Sequence, residues 1–406
     1  MTDSKNPIGK EFEDISGGFG DAPISPSLHR KIKIAFMTDK MDVRPEKSTF
    51  PKKLIENLLK NQEFEIYTIH YENMPDEPLY EKTNEIILPK THLPWGSHFV
   101  SFMRFCLFTK ENFDIFMWFV PRVYPFFWLV PAKKLVMQAH GGGDVLANSI
   151  FTIPKVIFNF ILKHFNKYFA AIIGASDFGS KEIIYAYHVH PEKVFTMYSA
   201  IDPLYRPLEK NEISRVMAKC KITAEKYFFY FGTLQRHKNV KRLIEAYLLL
   251  RQEYPEIEEK LVLAGIHSKG QIEEIRNETK LDGSKYYQDV IFNKNPELRD
   301  RPAFYSGATA VILPSLNEGF GMSIIEGMAC GTPVITSNIS AMPEAAGGAA
   351  LLVNPYDTRD IIEAMHKLAT DKEKREELIK KGLLRARNFS WDQSIKNYVS
   401  LFKKIL

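Results

Sequence analysis

Short apolar runs alternate with amphipathic segments along this chain, and that alternation predicts a succession of strand–helix units. Residues 31–38 (KIKIAFMT) read as a first buried strand. The run Ser48-Thr49-Phe50-Pro51 then opens a helix with Leu54, Ile55, Leu58 and Leu59 on one face. Residues 63–70 predict a second strand, and strand–helix–strand at this spacing implies parallel pairing with a right-handed crossover. Further strands are expected at 114–120, 134–139, 170–174 and 194–198, with Ser176-Asp177 capping a helix over 179–187. The second half repeats the rhythm. Its strands are expected at 227–231, 260–265, 290–295, 309–313 and 333–336. Its helices are expected at 240–251, 270–280, 357–369, 372–387 and 391–406, with a helical turn over 296–306.

The pattern of residues 151–169 (FTIPKVIFNFILKHFNKYF) differs from the rest. Lys155, Asn159, Lys163 and Lys167 recur every four residues, giving a narrow polar stripe on a helix that is otherwise apolar and aromatic. Such a helix either lies buried between a sheet and its neighbours or rests on a membrane or lipid acceptor with its lysines near headgroups. The most apolar window, 115–132, contains Arg122 and the prolines 121, 125 and 131, so no transmembrane helix is expected. The first 29 residues are polar and rich in Gly, Ser and Pro, which predicts a flexible leader rather than a signal peptide.

A length of 406 residues predicts two domains, and 45% hydrophobic with 25% charged residues supplies buried sheets for both. The expected division is a leader over 1–29, a first Rossmann-like domain over 30–201, a second over 202–389, and a terminal helix over 390–406 packing back on the first. A net charge of +5 spread over this length argues against a nucleic-acid binder. Three cysteines without metal-ligand spacing point to a reduced, cytoplasmic compartment.

Candidate chemistry concentrates in residues 315–355 (SLNEGFGMSIIEGMACGTPVITSNISAMPEAAGGAALLVNP). A strand-like run leads into the loop Glu318-Gly319-Phe320-Gly321, and a helix-like segment carries Glu326, seven intervening residues beyond Glu318. A glycine-rich loop feeding a helix offers free amide N–H groups and the positive end of the helix dipole, which suits a pyrophosphate. Glu318 lies where a sugar on that phosphate would sit, and Glu326, two turns on, could accept hydrogen bonds from a ribose diol. A second phosphate grip is legible at Gly232-Thr-Leu-Gln-Arg-His-Lys-Asn239, where a strand ends in a glycine with Arg236 and Lys238 just beyond. A third candidate is His140, at the end of the 134–139 strand and followed by three glycines and Asp144.

The glutamate pair, with Glu326-Gly-Met-Ala-Cys-Gly-Thr-Pro-Val-Ile-Thr-Ser and Pro343-Glu344 after it, resembles the retaining glycosyltransferases of family four. The resemblance implies the GT-B fold, two doubly wound Rossmann-like α/β domains facing across a cleft. It implies a retaining transferase that moves a hexose from a nucleotide sugar to a glycan or lipid-linked acceptor in polysaccharide or glycolipid synthesis. No metal and no cofactor are implied. Carried onto this chain, the family's donor site falls on Gly232, Arg236, Lys238, Glu318, Gly319, Phe320, Gly321, Met322 and Glu326, with His140 beside the transferred sugar. The Gly232–Asn239 turn and the Ser337-Asn338-x-Ser340-x-x-Pro343-Glu344 pattern favour GDP-mannose over a UDP-sugar as donor. The rival reading is a catalytically silent nucleotide-sugar-binding or scaffold subunit of a glycan assembly complex, suggested by Ser199-Ala200, where the family carries Asn-Gly. A phosphorylase of similar fold is a third reading, without an identified pyridoxal-phosphate lysine. The expected place is the cytoplasm, or the inner face of a membrane as a peripheral protein.

Overall fold

A computed structural model describes residues 30–38, 49–71, 78–89, 97–119, 125–139, 160, 162–265 and 267–406. The expected leader, His140, Asp144 and most of the 151–169 helix lie outside these residues.

Thirteen described strands form two sheets, each parallel throughout. In the first half β1 (Ile32–Met37), β2 (Phe64–Tyr71), β3 (Asn84–Leu88), β4 (Phe113–Trp118), β5 (Ala132–Ala139), β6 (Phe169–Gly174) and β7 (Val194–Thr196) take the order β3-β2-β1-β4-β5-β6-β7. In the second half β8 (Tyr227–Phe231), β9 (Lys260–Gly265), β10 (Val290–Lys294), β11 (Ala310–Leu313), β12 (Val334–Ser337) and β13 (Leu351–Val353) take the order β10-β9-β8-β11-β12-β13. The order reverses direction at β1/β4 and again at β8/β11, so both halves are doubly wound, as the strand–helix rhythm predicts. Central strands such as β4 are buried along their whole length, which is why they read as unbroken apolar runs rather than alternating ones.

Some elements are missed or misplaced by the pattern. Strand β3 and the helices Ser97–Phe108, Lys210–Lys219 and Met342–Ala346 were not expected. The 151–169 helix does not run to its predicted end: residues 166–168 form a 3₁₀ turn, and Phe169 opens β6. Phe169 stacks on Phe127, with ring centroids 4.6 Å apart, inside the core beneath the first sheet. That burial fixes its strand register against β5 and ends the helix. The predicted 296–306 helical turn is a 3₁₀ turn followed by the short helix Arg301–Ser306.

The two halves are joined by paired crossovers: the Ile201 amide donates to the Phe389 carbonyl at 2.8 Å. Past Phe389, Ser390 caps the helix Trp391–Ile405, accepting from the Gln393 amide. Tyr398, Leu401 and Phe402 of that helix pack against β1 residues Ile34 and Phe36 and the Thr49–Leu58 helix. Its Tyr398 hydroxyl donates to Gln138 of β5 at 3.0 Å. Trp391 stacks on Phe50 with centroids 5.4 Å apart. The last helix of the chain therefore completes the core of its first sheet.

Candidate active site

The carboxyl ends of β8 and β11 lie at the point where the order of the second sheet reverses, the place where open α/β sheets bind ligands. Gly232 and Thr233 follow β8, and the loop 314–321 follows β11. A cavity of about 360 Å³ opens between them, and Ala175 and Ser199 close it from the first half. That volume falls within the range of small-molecule sites.

Two glycines shape its walls. Gly265, at the end of β9, has φ +135°, and a Cβ there would overlap the carbonyl oxygen of Gly232. The close approach of these two strand ends therefore requires glycine. Gly321 caps the helix Met322–Ala329 at φ 95° and ψ 56°. Met322 and Ser323, the first residues of that helix, line the cavity. Amides in a helix's first turn have no intrahelical acceptor, and the positive end of its dipole falls here.

Lys238 and Glu318 meet in the cavity wall. The Lys238 ammonium donates to both Glu318 oxygens, at 2.6 and 2.7 Å, and the Ser315 hydroxyl donates to Oε1 at 2.8 Å. The two side chains are 19% and 11% exposed, so water screens the pair only partly. Their placement follows from the turns that carry them. Asn239 takes a left-handed conformation, and its side-chain amide donates to the Pro314 and Pro355 carbonyls. The Leu316 amide donates to the His237 carbonyl at 2.7 Å, strapping the basic turn to the acidic loop. Ser340, also left-handed, accepts from the Glu318 amide at 3.1 Å.

The same turn sends Arg236 elsewhere. Its side chain is exposed and lines a different cavity of about 510 Å³, beside Gln271, Glu274 and Glu278. The structure therefore does not bring Arg236 to Glu318, against the expectation for the two basic residues. In the 3₁₀ turn Arg236–Lys238, residues two apart point in different directions.

Glu326 lies one turn beyond Met322 and Ser323 on the same helix face. Its carboxylate does not line the cavity; it accepts from the Tyr305 hydroxyl at 2.5 Å. Burial pushes its pKa above the ordinary carboxylate range, opposed by the hydrogen bond from Tyr305 and by the Arg301 charge. A raised folded pKa favours folding below the ordinary glutamate value and loses that contribution as pH rises through the raised one. Glu326→Gln keeps an acceptor for Tyr305 and removes the titration. As the pH rises from about 4, the wild-type melting temperature should fall relative to that of the variant. Parallel melting curves would contradict the burial assigned here.

Gly232, Gly319, Phe320, Gly321 and Met322 line the cavity. Thr233 was passed over, although it sits inside the Gly232–Asn239 turn. Its hydroxyl is buried without a hydrogen-bond partner among the described residues, and it lines the same cavity. Ser199, from the first half, also lines the cavity, a role the residue pattern around it does not assign. His140 lies outside the described residues.

Residues 214–385 match the family model described as "Glycosyl transferases group 1". A 236-residue stretch is 30% identical to the O-antigen chain mannosyltransferase B of Escherichia coli, covering 57% of this chain and 60% of that one. Another stretch of 241 residues is 28% identical to the serotype-specific mannosyltransferase WbdA of Escherichia coli, covering 58% of this chain and 29% of that protein. These matches thus span less than two thirds of the relatives' own lengths. Among solved structures, the Anabaena protein HepE in complex with UDP and glucose superimposes with a TM-score of 0.73 at 15% identity, over 92% of this chain and all of that one. This likeness shows the fold: two doubly wound α/β halves in the GT-B arrangement.

Proposed function

We propose, for a chain whose residues 214–385 match the glycosyl transferases group 1 model, that the cavity between its halves binds a nucleotide sugar and transfers the sugar to an acceptor hydroxyl. One observation carries the reading: an ammonium and a carboxylate, Lys238 and Glu318, stand side by side at a helix N-terminus in an interdomain cavity. A sugar diphosphate presents complementary groups, anionic oxygens next to neutral hydroxyls. Lys238, the first-turn amides of the Met322–Ala329 helix and the Thr233 hydroxyl would hold the diphosphate. Glu318 would accept from the sugar's hydroxyls, and its grip on Lys238 would loosen as phosphate replaced it. Glu326, further along the same helix face, would turn from Tyr305 to a ribose diol.

The reaction proposed is transfer with retention. The bond from the anomeric carbon to the leaving phosphate oxygen breaks while the acceptor oxygen bonds to that carbon on the same face. The acceptor's proton passes to the departing phosphate. Lys238 and the helix amides offset the charge that develops there, without need of a metal ion. His140 is proposed beside the reacting sugar on the sequence pattern alone. GDP-mannose is the proposed donor, supported by the mannosyltransferase relatives, and a glycan or lipid-linked acceptor by the O-antigen chain relative. No described helix is long and apolar enough to cross a membrane. Peripheral contact with the cytoplasmic membrane face is proposed on exposed Phe160 and Tyr168 beside Lys163 and Lys167.

Incubation with a panel of nucleotide sugars, with free nucleotide as readout, tests the reading: release should be greatest with GDP-mannose. Binding without release, with acceptors supplied, would favour a silent subunit instead. Within the same assay Lys238→Ala should lower kcat/KM about a hundredfold, and Arg236→Ala less than about threefold. Equal losses would show that the turn rearranges to bring Arg236 into the site.

A further inference from the structure

The loop that carries Glu318 is held from both sides, and one of the holders belongs to the other half of the molecule. The helix Asp177–Tyr187 starts at Ser176, whose hydroxyl accepts from the Gly179 amide at 2.9 Å and donates to the Gly319 carbonyl at 2.7 Å. The next two amides of that helix, of Asp177 and Phe178, donate to Oε1 and Oε2 of Glu344 at 2.7 and 3.0 Å. A carboxylate from the second half therefore supplies the anion at a helix N-terminus in the first.

Glu344 is itself held in place. It belongs to the helix Met342–Ala346, and the Arg385 guanidinium donates to the Glu344 and Ala345 carbonyls at 2.6 and 3.1 Å. Four residues before Glu344, Ser340 accepts from the Glu318 amide. The contacts close a ring: Glu318 to Ser340, along the chain to Glu344, across to the Asp177 helix, and through Ser176 back to Gly319. Phe320 fills its interior, packed against Tyr198 and Phe389 with centroids 5.4 and 5.2 Å away.

We propose that Glu344 is a positioning residue: by capping the Asp177–Tyr187 helix across the cleft, it holds the two halves closed and sets the Glu318–Gly321 loop in its donor-binding place. Glu344 does not line the cavity and makes no contact there. It acts through Ser176 and Ser340. The effect on activity rests on the proposed transferase reading; the effect on closure does not.

Glu344→Ala, Glu344→Gln and Glu344→Asp test this in the full chain, by small-angle scattering and by steady-state kinetics with GDP-mannose. Alanine should enlarge the radius of gyration and lower kcat/KM about tenfold to a hundredfold, as expected for loss of a charged cap that biases a two-state closure. The loss should fall mainly on kcat, with the melting temperature of each half unchanged. Glutamine, which keeps one acceptor, and aspartate, which keeps the charge on a shorter arm, should recover part of both effects. An alanine variant with the wild-type radius and unchanged kinetics would overturn the proposal. If no nucleotide sugar is turned over but the alanine variant still opens, the latch stands and the transferase reading falls. If Glu318→Gln abolishes turnover while Glu344→Ala changes nothing, the reverse holds.

Discussion

Glu318→Gln should lower kcat/KM for the donor about a hundredfold to a thousandfold while leaving the chain folded. The glutamate carboxylate accepts from Lys238 and Ser315 and lies partly screened from water. Glutamine keeps the shape and one acceptor, but it cannot hold the ammonium with two oxygens or hydrogen-bond two sugar hydroxyls as an anion. The lost ion pair should cost about 1–3 kcal/mol of stability, since Lys238 stays partly buried without its partner. Chemical denaturation alongside initial-rate kinetics separates the two effects. A variant with wild-type rates would remove Glu318 from the chemistry.

The largest effect on the fold is expected from Gly265→Ala. Its φ of +135° is one that L side chains rarely adopt, and the added Cβ would overlap the Gly232 carbonyl. Relief would require β8 and β9 to part at their carboxyl ends, where Gly232 and Thr233 form the cavity wall. Strain and overlap together should cost about 3 kcal/mol or more. For a domain of this size that is a fall of roughly 6–12 °C in melting temperature, read by calorimetry. Gly283→Ala makes a suitable control, because a Cβ there meets nothing within 4 Å. If both variants melted alike, the close approach of the two strand ends would not be what demands glycine.

The parts of this molecule legible from residues alone are those whose partners are close in the chain. The two-sheet plan follows from apolar runs buried on both faces, and the Ser176 cap from the residue types around it. The cradle at Glu318–Met322 follows from glycine spacing before a helix. What is not legible depends on distant partners. Helical spacing places Glu326 on the face of Met322 and Ser323, but not against Tyr305, which comes from another helix. Two basic residues in one turn look equivalent until Asn239 and the His237 carbonyl fix which of them faces Glu318. Strand β3 is a largely exposed edge with polar residues at its start, so its apolar pattern is too weak to register. The helix Lys210–Lys219 opens with a Glu209–Glu212 capping box in place of the usual Ser or Thr. Glu344 carries no local signal for its role, because the amides it caps lie 166 and 167 positions away.

The central claim is that the Lys238–Glu318 pair divides the donor between them, phosphate to the cation and sugar to the anion. Calorimetric titration of GDP and of GDP-mannose into wild type and Glu318→Gln tests it most directly. GDP should bind the variant at least as tightly as wild type, because Lys238 is released to the diphosphate. The extra affinity that the mannosyl group gives wild type should vanish in the variant. The same mannosyl contribution in both proteins would contradict the account.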